Sequence, residues 1–565
     1  MSFSRGSEKW AGLFFFKTHV IEVPFEPNLF LIHLIAMNFL RKLSLIRAAE
    51  ATVISFVIVS LLGGLALYLT ESQRMINGKL PVLQEVQIIP RGEIAEGIRG
   101  EPEIQTHVFV KDVSYKGETF IDSWFTAVSA LCVTGLTSTD FSQFTLGGQI
   151  ITLALIQMGG LGIILFTSIF AIAIVRGISE NASFKNILAG ILDTEKKEAG
   201  KMLKYVIAYT LFFEGLGTVI MGIHLSNNLF QESLNGINPW WWSLFHAISA
   251  FNNAGFGLLN NNLMNFVNDT TINLVIASLI ILGGLGYPVL IAIHAAIRSH
   301  IIGKNDLVQD HLHLQVEGVV ASPVQTKVAI WVTLFLLFSG TFFTLALEWN
   351  NSIMEAYSIP QKIMIAFFQS TSTRTAGFNT IDIGALGAAT LFLYMFLMYV
   401  GANPGGTGGG IKIPTVAVIY GYIKDWFAKP GEPVRLFKQK ISKFALSHAI
   451  RLVGFSFIFI ALITFLISAK EYQYLVTPDP TYNFLKVLFE IFSAFGTVGL
   501  SMGFVGGVTS FAAILSPFSK ILLIITMLFG RVGPLTVLAA LPWKRRYEKH
   551  PPSPDFQDAQ RIQIG

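Results

Sequence analysis

Four short phrases ending in glycine are the residues of this sequence best suited to handle an ion. They read Val133-Thr134-Gly135, Asn253-Ala254-Gly255, Thr375-Ala376-Gly377 and Thr497-Val498-Gly499, and their glycines lie 120, 122 and 122 positions apart. A cation leaving water needs replacement oxygens, and main-chain carbonyls supply them where several strands converge on one pore. Glycine lets successive carbonyls turn toward that axis, because no Cβ blocks the backbone. One glycine in a loop says little, whereas four at a near-constant period indicate a copied structural unit. The expected chemistry is ion coordination by bare peptide oxygen, not bond making. No nucleophile, base and orienter occur together, and His311 and His313 sit in a linker without further ligands nearby. Catalysis therefore has no candidate residues, and no metal site is expected apart from the ion at the phrases.

The elements that position these phrases follow from hydropathy and charge. The 565-residue chain is 52% hydrophobic and 13% charged, about half the charged share of soluble domains, and its mean hydropathy is +0.58. Eight apolar runs, near 51–70, 150–175, 205–225, 272–297, 328–347, 388–423, 446–468 and 513–541, approach the ~20 residues a spanning helix needs. Lysine and arginine gather in 176–204, in 424–443 and at Lys544, Arg545 and Arg546, while 137–150, 256–271, 379–390 and 500–512 hold none. The positive-inside rule then places the linkers between units in the cytoplasm and the phrases near the outer face. The net charge of +5 reflects this topology and points to no nucleic-acid partner.

Before each phrase lies a semi-apolar stretch, 120–132, 241–252, 362–374 and 484–496, too short to cross a bilayer. Each is expected to be a re-entrant helix, tolerated where protein or water shelters its end, with its negative C-terminal dipole end aimed at the pore centre. Trp240, Trp241 and Trp242 open the second one, as aromatics do at an interface. Only the first unit carries a long outer loop, 72–118. It reads as a plain surface loop, with strand-like pieces at 86–89 and 107–113 leaving a small hairpin as the second reading. Residues 30–37 are apolar but too short to span and read as interfacial; a start at Met37, with Arg41, Lys42 and Arg47 as inside flank, is the alternative.

The last run of each unit breaks its own pattern. Gly159-Gly160-Leu161-Gly162 and Gly283-Gly284-Leu285-Gly286 are expected to kink the first two, and Gly530-Arg531-Val532-Gly533-Pro534 to interrupt the fourth. The third contains Gly401-Ala402-Asn403-Pro404-Gly405-Gly406-Thr407-Gly408-Gly409-Gly410. Glycine costs about 1 kcal/mol and proline about 3 kcal/mol inside a helix, so this segment is expected to unwind, line a cavity and act as a movable gate. It does not read as a phosphate loop, since Lys412 does not directly follow the second glycine of the Gly405–Gly410 pair. Arg531, at bilayer depth, is expected to face the pore, with an ion pair to Glu214 or Glu490 as the alternative. Glu490 and Arg374 are read as braces of their re-entrant helices, His246 as a packing residue, and Cys132 as a thiol behind the first phrase without redox role.

With these residues in view, the chain resembles the Trk/Ktr/HKT superfamily of potassium transporters, and most of all the membrane subunit of bacterial Ktr-type systems. The resemblance rests on SALCVTGLTSTDF (129–141), IQMGGLGI (156–163), SAFNNAGF (249–256), STSTRTAGFNTID (370–382), GANPGGTGGGIK (401–412), SAFGTVGLSMG (493–503) and FGRVGPLT (529–536). It implies an all-α multi-pass membrane protein, with four M1–P–M2 units in pseudo-fourfold arrangement around one central pore. The units would span 51–176, 202–298, 327–423 and 446–541, between an N-terminal segment 1–50 and a cytoplasmic tail 542–565. It implies filter roles for the four phrases, a gating role for 401–410 with Arg531, and potassium as the transported ion. Gly135, where sodium-passing relatives often carry serine, favours potassium. The resemblance further implies a homodimer in the bacterial cytoplasmic membrane, docked on a ring of nucleotide-binding regulatory subunits, with no cofactor in this chain itself. The regulatory nucleotide and any sodium activation stay open. The rival reading is a secondary cation transporter with alternating access, which predicts two pseudo-symmetric halves instead of a fourfold repeat.

Overall fold

The computed structural model describes residues 48–77, 83–87, 109–113, 119–161, 196–227, 232–302, 323–425, 435–436, 439–440, 443–472, 483–503 and 510–533. The readings offered for 1–47, for the basic residues of 162–195 and for the tail fall outside them. Unit one comprises α1 (Ala48–Asn77), α2 (Phe120–Leu131) and α3 (Leu146–Gly160); unit two comprises α4 (Lys196–Leu225), α5 (Pro239–Phe251), α6 (Thr270–Leu285) and α7 (Tyr287–Ile302). Unit three has α8 (Pro323–Glu348), α9 (Ile359–Ser372), α10 (Ala388–Tyr399) and α11 (Ile413–Asp425), and unit four has α12 (Lys443–Lys470), α13 (Phe484–Gly496) and α14 (Pro517–Val532). Each unit thus runs long helix, short helix, trailing helix.

The long helices α1, α4, α8 and α12 are the four described helices long and apolar enough to cross a membrane. Only 33–39% of their apolar windows is buried, and phenylalanines such as Phe338 and Phe465 lie open on their surfaces. Such inversion is stable only where the surrounding solvent is itself apolar. The short helices invert the pattern again. Phe125, Phe245, Phe251, Phe368, Phe489 and Phe495 are fully enclosed, so the short helices form the core around which the long ones stand.

Local sequence starts each short helix. Thr119 and Asp122 make a capping box on α2, Asn238 caps α5 with Pro239 following, Ser358 and Gln361 make a box on α9, and Asn483 caps α13. These side chains satisfy amides that the first turn leaves without partners. A second recurrent brace joins each long helix to its trailing helix. Glu71 accepts from Thr145 N at 3.1 Å and Thr145 Oγ1 at 2.6 Å, Glu348 from Gly387 N at 3.0 Å, and Glu471 from Ser516 N at 3.1 Å and Ser516 Oγ at 2.6 Å. Unit two replaces the glutamate with His224, whose Nε2 lies 2.8 Å from Asp269 Oδ2, the residue that caps α6.

The trailing runs break where glycine is expected to break them: α3 ends at Gly160, α6 and α7 meet at a 101° bend, and α10 and α11 flank an unwound stretch. One expectation is sharpened and one is corrected. In the fourth run α14 continues through Gly530, Arg531 and Val532, and stops at Gly533, which has φ +90°. Last, the outer loop of unit one is not plain. Strand β1 (Leu83–Gln87) pairs antiparallel with β2 (Phe109–Val113), Leu83 opposite Val113, and a second two-residue ladder joins β3 (Arg435–Leu436) and β4 (Gln439–Lys440).

A candidate ion pathway

Each phrase leaves its short helix by the same local move. The first residue of every phrase, Val133, Asn253, Thr375 and Thr497, has positive φ, at 51°, 58°, 68° and 48°. The left-handed region is strongly disfavoured for β-branched side chains, and such strain persists only where the surrounding structure imposes it. The residue after it folds back: Thr134 N donates to Ser129 O at 2.7 Å, Ala254 N to Ser249 O at 2.7 Å, Ala376 N to Ser372 O at 3.0 Å and Val498 N to Ser493 O at 2.9 Å. The same serines use their hydroxyls on the strands. Ser129 and Ser493 accept from Gly135 N and Gly499 N, both at 3.0 Å, while Ser249 donates to Phe256 O at 2.9 Å and Ser372 donates to Phe378 O. Sequence reasoning missed these serines, although each lies within a quoted segment, six residues before the glycine in units one, two and four and five in unit three.

The four glycines close a ring in chain order. A Cβ on Gly135 would stand 2.6 Å from Ala254 O and 3.1 Å from Gly255 Cα; one on Gly255 would stand 2.6 Å from Ala376 O and 3.1 Å from Gly377 Cα. On Gly377 it would strike Val498 O, and on Gly499 it would strike Thr134 O, bringing the contacts back to unit one. Their φ values of 93°, 71°, 77° and 94° lie where side chains are rarely accepted. Glycine is thus required twice over, by conformation and by neighbour distance. The structure brings the second and third residues of all four phrases together in this ring.

On one side the ring opens into a cavity of about 250 Å³, lined by all four glycines and by Asp140, Asp382 and several asparagines, with no lysine or arginine among the described lining residues. Its carboxylates also cap turns, Asp140 accepting from Ser142 N at 3.0 Å and Asp382 from Gly384 N at 2.8 Å. The mouth therefore favours cations.

On the other side lies the unwound segment 401–410. Asn403 N and Thr407 N donate to Gly284 O and Gly283 O, both at 3.1 Å, and Tyr287 N donates to Gly405 O at 3.1 Å, so the bend at Gly286 receives this loop. Thr407 Oγ1 donates to Phe251 O at 3.1 Å, at the end of α5. Gly409 N donates to Thr497 Oγ1 at 3.0 Å, and Gly410 N to Gly530 O at 3.2 Å. Pro404, Gly406 and Gly408 complete the segment, and Gly408 packs on the Thr375 hydroxyl. Gly401 and Ala402 donate back to Ile411 O at 2.9 Å and Gly409 O at 3.2 Å, folding the segment on itself.

Three cationic side chains hold this loop through carbonyls. Arg531, 4% exposed, donates to Thr407 O and Gly159 O. This corrects the ion-pair alternative: Glu214 takes the Asn252 amide at 2.9 Å, and Glu490 takes Ser501 Oγ at 2.6 Å and Ala512 N at 3.0 Å. Lys412 Nζ donates to Gly408 O at 2.6 Å. Arg374 lies just beyond the end of α9 rather than on it, and its Nη2 reaches Gly401 O at 3.3 Å. By sequence Lys412 is only a mismatch to a phosphate loop; its place five residues after Thr407 could not reveal its carbonyl partner. His246 is buried against Trp242, ring centroids 3.7 Å apart, and Cys132 is buried and unpaired.

The trailing-helix glycines have a packing reason. A Cβ on Gly159 would strike Leu131 O, on Gly283 Phe251 O, and on Gly530 Phe495 O. Each is a carbonyl at the end of that unit's short helix, so these glycines allow close approach.

Long helices that turn apolar side chains outward, around a packed ring of glycines and carbonyls, define a multi-pass membrane protein. Residues 48–545 match the TrkH family, described as cation transport protein, and the chain belongs to that family. It is similar to Ktr system potassium uptake protein B of Vibrio alginolyticus, 32% identical over 429 residues that cover 75% of this chain and 85% of that protein. It is also similar to potassium/sodium uptake protein NtpJ of Enterococcus hirae, 31% identical over 432 residues, covering 76% and 87%. The fold is similar to the crystal structure of the potassium transporter TrkH from Vibrio parahaemolyticus, with a TM-score of 0.53 at 17% identity, covering 75% of this chain and 78% of that one.

Proposed function

We propose that this chain takes up potassium through one central pore, with the four phrases as a selectivity filter of backbone carbonyls and 401–410 as its gate. The observation that carries this reading is the closed ring of Gly135, Gly255, Gly377 and Gly499, each packed on the carbonyl preceding the next glycine. Four strands meeting at one level can replace a hydration shell from all sides. An inside-negative potential supplies about 2.3 kcal/mol per charge per 100 mV for entry. The bonds of Arg531 to Thr407 O and Gly159 O support reading the loop as a gate in its closed position. The names of the potassium uptake relatives support the choice of ion.

We further propose a homodimer in the bacterial cytoplasmic membrane, regulated by a nucleotide-binding cytoplasmic subunit. Relatives named as parts of a Ktr system support a multi-component assembly. The test is potassium uptake by a potassium-starved, uptake-deficient host expressing the chain with and without such a subunit. Rescue at low potassium is expected, strongest with the partner; no rescue in either case, with the protein in the membrane, refutes the reading.

A further inference from the structure

We propose that the Thr497 hydroxyl is shared between the permeating cation and the loop, so that loop closure and cation occupancy at the inner end of the ring oppose one another. This rests on the phrases being the filter and 401–410 the gate. Thr497 opens the fourth phrase, is fully buried, and accepts from Gly409 N at 3.0 Å. The equivalent residue of unit three, Thr375, lies against the adjacent loop residue, Gly408, and its hydroxyl is 3.0 Å from the Asn253 side-chain amide. The first positions of phrases two, three and four are therefore polar, and two of them touch consecutive loop residues.

A hydroxyl carries one proton and two lone pairs. While Gly409 N–H is bonded there, the positive end of a peptide dipole points at an oxygen that a cation would otherwise use. Arg531 on Thr407 O and Lys412 on Gly408 O bring full positive charges to the neighbouring loop residues. A cation arriving at the inner end thus meets a donor that leaves with the loop, together with the positive groups of Lys412 beside the loop and Arg531 on α14. By linkage the effect is reciprocal: closure weakens cation binding at that level, and cation binding there weakens closure by the same factor.

The test uses the full chain in lipid nanodiscs, with amide hydrogen exchange followed in potassium and in choline chloride. Potassium is expected to slow exchange at the four phrases and to speed it at 408–410, by about 2- to 12-fold, the net worth of one hydrogen bond. Thr497→Val should abolish the potassium effect on the loop, and Thr497→Ser should keep it. Gly409→Ala attacks the same contact from the loop, because its Cβ would stand 2.5 Å from Thr497 Oγ1; it should also lose the effect. If potassium protects the phrases while Thr497→Val keeps the wild-type loop response, or the wild-type loop does not respond, the sharing is wrong and the filter reading stands. If the phrases do not respond to potassium either, both are overturned.

Discussion

Replacing Arg531 by alanine removes the two bonds by which one side chain ties the loop, at Thr407 O, to α3, at Gly159 O. Hydrogen bonds from a charged donor contribute about 1.5–3 kcal/mol each. If both exist only in the closed arrangement, their loss shifts the closed-to-open ratio by about 3–6 kcal/mol, roughly 10²- to 10⁴-fold at 1.4 kcal/mol per decade. The loop keeps its bonds to Gly283 O, Gly284 O and Phe251 O, so it should swing from unit two rather than unfold. Rubidium uptake into proteoliposomes, without any regulatory partner, should rise until permeation and not opening limits it, by at least about tenfold. Arg531→Lys should fall between, since one ammonium cannot span two carbonyls as a planar guanidinium does. Both variants are checked for a single gel-filtration peak before assay. Folded Arg531→Ala that conducts no faster than wild type refutes the reasoning.

Shortening 401–410 should likewise raise flux; a fall or no change removes the loop as gate. Gly135→Ser places a side chain at φ +93° and a Cβ 2.6 Å from Ala254 O, so the ring must distort; sodium should then compete with rubidium more strongly, and unchanged discrimination counts against the filter. Where units one and four meet, Lys520 Nζ lies 2.7 Å from Asp122 Oδ1, both largely buried. Lys520→Met leaves that carboxylate without its cation and should cost about 3 kcal/mol, read as a lowered melting temperature in detergent, with Lys520→Met/Asp122→Asn recovering part of it.

Hydropathy and the glycine period were enough to find the long helices, the short helices and the phrases, because each is a local or repeating property of the chain. The unwound 401–410 was legible for the same reason: helix cost adds residue by residue. Partners distant in sequence were not. Arg531 could be marked as buried and polar, but nothing in its neighbourhood tells a carboxylate partner from the carbonyls of Thr407 and Gly159, 124 and 372 positions away. The glutamates Glu71, Glu348 and Glu471 look like ordinary ends of spans until the trailing helices dock on them. The glycines of α3, α6 and α14 read as kinks, yet packing against the ends of the short helices is what requires them. Composition and period therefore determined which segments are long and apolar, which are short, and where glycine leaves the backbone bare. Only the tertiary structure decided that the four phrases join in one ring and which side chains hold the loop beneath it, because those contacts depend on how the units pack together.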